Sequence, residues 1–227
     1  RCVDTRYLPT VSYLSCFQAA PTLAVMEAME RLLQFASTHR TGCKIFKPSD
    51  MILKAASDAS YLSRPKSGSV AGSFHYLGIA GVADFYNAPI SVHSTSIPVI
   101  CASAAEAEYA GVFSCAKILC HERAILHDIG YPQPPTPIAC DNECAVGLAN
   151  RTVTPKHSKS IDMRFNWVQD RVRQGQFTVH HIPGVYNIAD FFTKALPVHR
   201  HLVLAPYVAT DSPSLQSPNF FPVFPLF

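Results

Sequence analysis

The stretch that decides the fold is CDNECAVGLAN, residues 140–150, entered through the segment PTPIA. Ile138 and Cys140 give the entering segment an apolar, strand-like character, and Asp141 stands at its tip. Beyond it, Ala145, Leu148 and Ala149 fall on one side of a helix that Asn142 can cap, since a short polar side chain there accepts from the unpaired first N–H groups. A strand that delivers a carboxylate at its C-terminal edge and turns into a helix sits where open α/β sheets keep their ligands. Alone, such an aspartate reads as a turn or cap residue. Three further acids in comparable settings change that reading: Asp58 in ILKAASDAS, Glu108 in CASAAEAEYAG and Asp190 in YNIADFFTKALP.

Outward from this point, MILKAASDAS predicts a strand ending in Asp58, and SRPKSGS a turn with Arg64 and Lys66 as exposed charges. SVAGSFHYLGIA and APISVHS predict two more strands, and the short connections make the three an antiparallel meander. A long helix follows over about residues 103–129, with Glu108, Val112, Cys115 and Leu119 on one stripe and Glu106 pointing elsewhere. After residue 150 come a basic loop, RTVTPKHSKS, and an amphipathic helix, SIDMRFNWVQDRVRQG, with Ile161, Phe165, Val168 and Val172 inward. QFTVHHIP is the last strand, and Asp190 opens a further helix. Upstream, Pro21 opens the helix PTLAVMEAMERLLQFAS, whose Met26, Met29 and Leu33 read as a packing stripe, and CKIF reads as a short strand. Beyond Leu196–Pro197 the proline-rich tail lacks periodicity and is expected to be disordered or loosely packed. The sum is an α/β domain with a mixed sheet and no internal repeat.

Composition bounds the alternatives. A chain of 227 residues with 48% hydrophobic and 15% charged residues is globular, not disordered. The net charge of +3 permits a nucleic-acid partner without requiring one. No apolar run reaches the roughly 18 residues of a membrane span. The N-terminus has neither an initiator Met nor signal-peptide character, so a piece of a longer protein is expected. None of the eight cysteines falls in a CxxC or a Cys/His zinc spacing. They read as buried or incidental thiols of a reducing compartment.

The chemistry follows from bringing the acids together. A crossover through the long helix sets the strand of Asp58 beside the strand of Asp141. Glu108 on that helix can then face both, and Asp190 can close the site. Two unpaired acids about 4 Å apart repel by roughly 4 kcal/mol at an effective dielectric of about 20, so such a cluster takes up protons or binds cations. Oxygen-only ligands suit Mg²⁺ or Mn²⁺ over Zn²⁺. Two such ions about 4 Å apart are a device for in-line attack on a phosphodiester.

The order strand-Asp, AEAEY helix, strand-CDN and late AD before FTKALP resembles the ribonuclease H domain of copia-type retrotransposon polyproteins. CASAAEAEYAG, CDNECAVGLAN, KSIDMRFNWV and IADFFTKALP carry the resemblance. It implies a ribonuclease H-like fold, with a mixed five-stranded sheet of a three-strand antiparallel meander plus two parallel strands, flanked by helices. It assigns residues 1–47 to the C-terminal end of a reverse transcriptase, 48–200 to the nuclease domain and 201–227 to an irregular tail. It implies hydrolysis of the RNA strand of an RNA–DNA hybrid, with two Mg²⁺ or Mn²⁺ ions held by Asp58, Glu108, Asp141 and Asp190 as catalytic residues. The implied partners are the hybrid and the reverse transcriptase part of the same polyprotein, with no membrane, in a cytoplasmic virus-like particle or the nucleus. Ser60, Arg64, Lys66, Asn142, Lys156, Lys159 and Arg164 are substrate-contact candidates by position. A second reading is an inactive remnant that only packs or binds nucleic acid; a third is a resolvase or exonuclease of the same fold.

Overall fold

Alanine and serine dominate the central strand, which is why it can be covered on both faces. The computed structural model describes residues 4–81, 86–152 and 162–211, with 162–165 as backbone alone. In chain order its elements are α1 (Leu8–Leu14), α2 (Leu23–Thr38), β1 (Gly42–Cys43), β2 (Ile52–Arg64), β3 (Gly68–Gly78), β4 (Pro89–Ser96), α3 (Ala104–Asp128), β5 (Thr136–Cys140), α4 (Glu143–Ala149), α5 (Asp162–Arg173), β6 (Phe177–His181), α6 (Val198–Val208) and β7 (Thr210–Asp211). The main sheet has the order β4-β3-β2-β5-β6. The pairs β2–β3 and β3–β4 are antiparallel, whereas β2–β5 and β5–β6 are parallel. This is the expected meander plus two parallel strands, flanked by helices, and it is the ribonuclease H-like arrangement that the resemblance implies.

Period-two alternation sends β2 side chains to two cores. Leu53 and Ala55 join Val112, Leu119, Ile138, Val168 and Phe177 beneath α3. Ala56 joins Phe74, Val92, Ile188, Phe192 and Leu204 on the opposite face. Burying a side chain such as Leu119 or Phe74 stabilises the fold by about 1.5–3 kcal/mol. Helix α3 is capped by Ser103, whose hydroxyl accepts from the Glu106 N–H at 3.1 Å, while the Glu106 carboxylate reaches back past the cap to accept from the Ala102 N–H at 2.7 Å. Asn142 caps α4 as expected, its Oδ1 accepting from the Ala145 N–H at 3.0 Å.

Four expectations are corrected. Asp58 does not end its strand: β2 runs on to Arg64, because Ala59 and Ser60 keep their partners Ala71 and Val70 on β3. The methionine stripe of α2 does not pack: Met29 is 42% and Leu33 60% exposed. That helix is tethered instead through Phe35, which meets Tyr7 edge-on at 5.7 Å and lies beneath the Arg6 guanidinium. CKIF is strand only at its cysteine, within the two-residue β1 that pairs with β7. The segment after Pro197, expected to be disordered or loosely packed, is helical over Val198–Val208. Leu204 and Val208, one helical turn apart, are buried and hold α6 against the second core despite Pro206 within it. Arg6 closes this end of the molecule, pairing with Asp4 at 2.6 Å and Asp211 at 2.9 Å. The cysteines among the described residues are free thiols, and no described helix is long and apolar enough to cross a membrane.

Candidate metal centre

Asp58, Glu108, Asp141 and Asp190 come from four different elements and converge. Asp58 projects from the middle of β2 and is completely buried, while Glu108 on α3 is 9% exposed. Asp141 follows β5 directly, and Asp190 lies in the 3₁₀ turn Ile188–Phe192. Carboxylate oxygens of Asp58, Asp141 and Asp190 lie within 4.8 Å of one another, and Glu108 and Asp141 meet within the same limit beside Cys140. Asp141 is therefore common to two overlapping groups.

Two glycines permit the convergence. A Cβ on Gly111 of α3 would stand 3.1 Å from the Asp58 carbonyl oxygen, so the glycine lets the helix close on β2. Gly72 is the register partner of Asp58. A Cβ there would stand 2.5 Å from Thr193 Cγ2 and 3.1 Å from Phe192 Cβ. The bare backbone at residue 72 thus leaves room for the turn that carries Asp190. Asn187 anchors that turn: fully buried, it donates from its amide to the Ser57 carbonyl at 3.0 Å and accepts from the Ala189 N–H at 3.1 Å. Arg200 of α6 braces it from outside, donating to the Gly184 carbonyl at 2.7 Å and lying 3.6 Å from Asp190 Oδ2.

Charge crowding dominates the electrostatics. Burial, reinforced by the charges of Asp58 and Asp141, pushes the Glu108 carboxyl up to about 9. Its Oε2 accepts from the Ala59 N–H at 3.1 Å, which orients it without neutralising it. Burial likewise pushes Asp58 up to about 7, against the pull of Lys194 and with the repulsion of Asp190 added. Lys194 sits where a cation is wanted, its ammonium 3.2 Å from Asp58 Oδ1 and 2.7 Å from Asp190 Oδ1. The Thr193 hydroxyl donates to Asp58 Oδ2. Cys140 beside the cluster is not a ligand for hard cations: its buried thiol is pushed up to about 12 and stays protonated.

The substrate-contact candidates divide. Ser60 is half-buried and, with Ser63, Tyr13, Thr193 and Lys194, lines a cavity of about 480 Å³ next to the acids. Lys66 is exposed, at a left-handed φ of 58° in the turn after β2. Arg64 is corrected from the exposed charge expected: it is buried, donates to the Ser12 hydroxyl at 2.9 Å and lies over the Tyr13 ring at 5.4 Å. Its role is to fasten α1 to the sheet. The Asn142 Oδ1 is engaged as a helix cap. Lys156, Lys159 and the side chain of Arg164 lie outside the described residues. Sequence reasoning missed Gly72, Asn187, Lys194 and Arg200. Asn187 and Lys194 flank Asp190 in the motif already singled out, which was the available signal.

No family model matches the chain. The chain is 27% identical over 190 residues to the retrovirus-related Pol polyprotein from transposon TNT 1-94 of Nicotiana tabacum, covering 82% of this chain and 14% of that protein. It is 29% identical over 196 residues to the corresponding polyprotein from transposon RE1 of Arabidopsis thaliana, covering 83% of this chain and 13% of that protein. These relatives are of the kind the four motifs resemble, and the chain spans about one-seventh of their length. Among solved structures it is similar to the LC11 ribonuclease H1 isolated from compost, with 14% identity and a TM-score of 0.48, covering 63% of this chain and 93% of that one. It is also similar to the foamy viral protease–reverse transcriptase, with 21% identity and a TM-score of 0.37, covering 63% and 90%.

Proposed function

We propose that this chain is a ribonuclease H unit of a retrotransposon polyprotein that hydrolyses the RNA strand of an RNA–DNA hybrid with two divalent metal ions. The observation that carries the reading is that Asp141 is shared by two overlapping groups, Asp58–Asp141–Asp190 and Glu108–Cys140–Asp141, whose hard donors are all carboxylate oxygens because the Cys140 thiol stays protonated. The donor set fits Mg²⁺ or Mn²⁺. Lys194, bonded to two of the four acids, marks the cation demand of the site by standing in for it. In this reading residues 1–47 are the end of a reverse transcriptase and 48–200 the nuclease domain, and the rest of the polyprotein and the hybrid are the partners. A cytoplasmic virus-like particle or the nucleus is the location.

Asp58, Glu108, Asp141 and Asp190 would hold the ions. When bound, they supply ionisation of the attacking water near neutral pH and charge neutralisation at the scissile phosphate. The chain's own groups do the rest. The Ala59 amide orients Glu108, the Thr193 hydroxyl fixes one oxygen of Asp58, and Asn187 keeps the Asp190 turn on β2. Lys194, 40% exposed along its side chain, is released from Asp58 and Asp190 towards the neighbouring cavity, where an ammonium suits a substrate phosphate. Ser60 and Lys66 take phosphate or 2′-hydroxyl contacts, which hold a hybrid without base readout.

Cleavage of a labelled RNA–DNA hybrid in Mg²⁺ tests the reading. Asp141→Asn is expected to lower the rate by more than about 100-fold, the scale of loss when a preorganised charge-stabilising group is removed. Equal rates in the two proteins would remove the hydrolase claim. One observation favours a second reading, a non-catalytic nucleic-acid-binding remnant: Lys194 already neutralises part of the cluster. That reading predicts hybrid binding without Mg²⁺-dependent cleavage. Preferred cleavage of duplex DNA or single strands would instead select the resolvase or exonuclease alternative.

A further inference from the structure

The helix that presents Glu108 carries another carboxylate, Glu122, into a different pocket at the β3–β4 side of the sheet. His75 of β3 is completely buried there, with Nδ1 2.7 Å from Glu122 Oε2. Ser91 on β4 is its register partner, and His93 stands two residues further along the same face. The Ser91 hydroxyl lies centrally: it donates to Glu122 Oε1 at 2.5 Å and is 3.2 Å from His75 Nδ1 and 3.3 Å from His93 Nε2. The ring donors and the carboxylate all lie within 4.8 Å of one another.

We propose that His75 Nδ1, His93 Nε2 and the Glu122 carboxylate form a zinc site that fastens edge strand β4 to α3. Two imidazoles and one carboxylate suit borderline Zn²⁺, whereas the oxygen-only cluster at the other pocket suits Mg²⁺. Ligands at about 2.0–2.1 Å from a tetrahedral ion lie roughly 3.3 Å apart, the spacing Ser91 Oγ already keeps to both rings. The 2.7 Å His75–Glu122 contact opens by roughly half an ångström as the ion enters. The Ser91 hydroxyl, in contact with both rings and the carboxylate, offers an oxygen for the fourth position. A supporting partner is in place: His75 Nε2 lies 3.5 Å from Cys115 Sγ. With Nδ1 on the ion, Nε2–H donates to that sulfur and fixes the ring, the arrangement by which metal-bound histidines are held. Entry is from the β4 edge, where Ser91 and His93 are partly exposed. The sequence shows no zinc spacing because the ligands come from three elements, far apart along the chain.

The test uses the full chain, stripped with a chelator and kept in excess Mg²⁺ so that the acid cluster does not compete for zinc. Calorimetric titration with Zn²⁺ is expected to give one site per chain. His93→Ala, at a partly exposed position, is expected to weaken it by at least about tenfold. X-ray absorption of the zinc-loaded wild-type protein, which needs no variant, is expected to show two imidazoles, oxygen and no sulfur. Absence of Zn²⁺ binding, undiminished binding in folded His93→Ala, or a thiolate in the ligand shell would overturn the proposal. None of these outcomes bears on hybrid cleavage, so this site and the acid cluster fail or stand separately.

Discussion

Glu108 and Glu122 leave the same helix, both largely buried, and enter pockets of different composition. Glu108 meets Asp58 and Asp141; burial first, and then those charges, push its carboxyl up to about 9. Glu122 feels the same upward push from burial, but hydrogen bonds from His75 and Ser91 and the nearby imidazoles hold it below its ordinary value. Depth does not separate the two; company does. A pocket of oxygens alone accumulates negative charge that its own side chains do not neutralise, beyond the contribution of Lys194. A pocket that mixes imidazole, hydroxyl and carboxylate keeps one carboxylate charged and satisfied. The first calls for hard divalent ions, and the second accommodates a single borderline one.

The largest effect that sharpens this contrast is the dependence of stability on pH. The ordinary values are 3.8 for Asp58 and 4.5 for Glu108, and in the fold they rise to about 7 and about 9. Between those limits the folded chain binds more protons than the unfolded one, so stability falls as pH rises, with the loss complete above the folded values. Glu122 runs the other way: its contribution is present above the ordinary glutamate range and is lost as pH falls through and below it. Urea unfolding of the Mg²⁺-free protein is expected to show stability dropping by several kcal/mol from about pH 5 to about pH 9. Glu108→Gln is expected to flatten that limb and Glu122→Gln to leave it unchanged. Equal slopes in all three proteins would erase the distinction between the pockets.

A smaller effect separates the pockets sterically. Gly72→Ala places a methyl group 2.5 Å from Thr193 Cγ2 and displaces the Asp190 turn. It is expected to cost about 1–3 kcal/mol and to weaken Mg²⁺ binding, while Zn²⁺ binding at His75 and His93 is unchanged. Loss of both ions together would mean that the two pockets are not independent.

Much of the acid cluster was legible because each acid sits in a motif with a local structural signature: Glu108 on a helical stripe with Val112 and Leu119, Asp141 at a strand-to-helix turn. The meander followed from its short connections and the pairing of the Asp141 strand with the Asp58 strand from the crossover helix, whereas the second parallel strand was implied only by the family resemblance. What stayed hidden depends on tertiary approach. Nothing along the chain says that Gly72 will face Thr193, or that Lys194 will reach back to Asp58. The α6 helix was obscured by Pro206 and the prolines that follow, although Leu204 and Val208 bury one face of it. The stripe on α2 misled because periodicity reports amphipathicity and not a partner: Met29 and Leu33 remain in solvent. Arg64 misled for the opposite reason, since a charge in a turn was buried by a helix from the far N-terminal part of the chain.

The central claim is that four carboxylates gathered from distant parts of the chain bind divalent ions, and Mn²⁺ uptake tests it most directly. Free Mn²⁺ can be counted by its paramagnetic resonance signal as the metal is titrated into the chelator-treated protein at neutral pH, with one equivalent of Zn²⁺ per chain to fill the imidazole pocket and none left over to compete at the acids. The wild-type chain is expected to take up two ions, and Asp141→Asn, which removes the acid common to both groups, to bind at least about tenfold more weakly. Identical titrations for the two proteins, or no uptake by the wild type, would contradict the account.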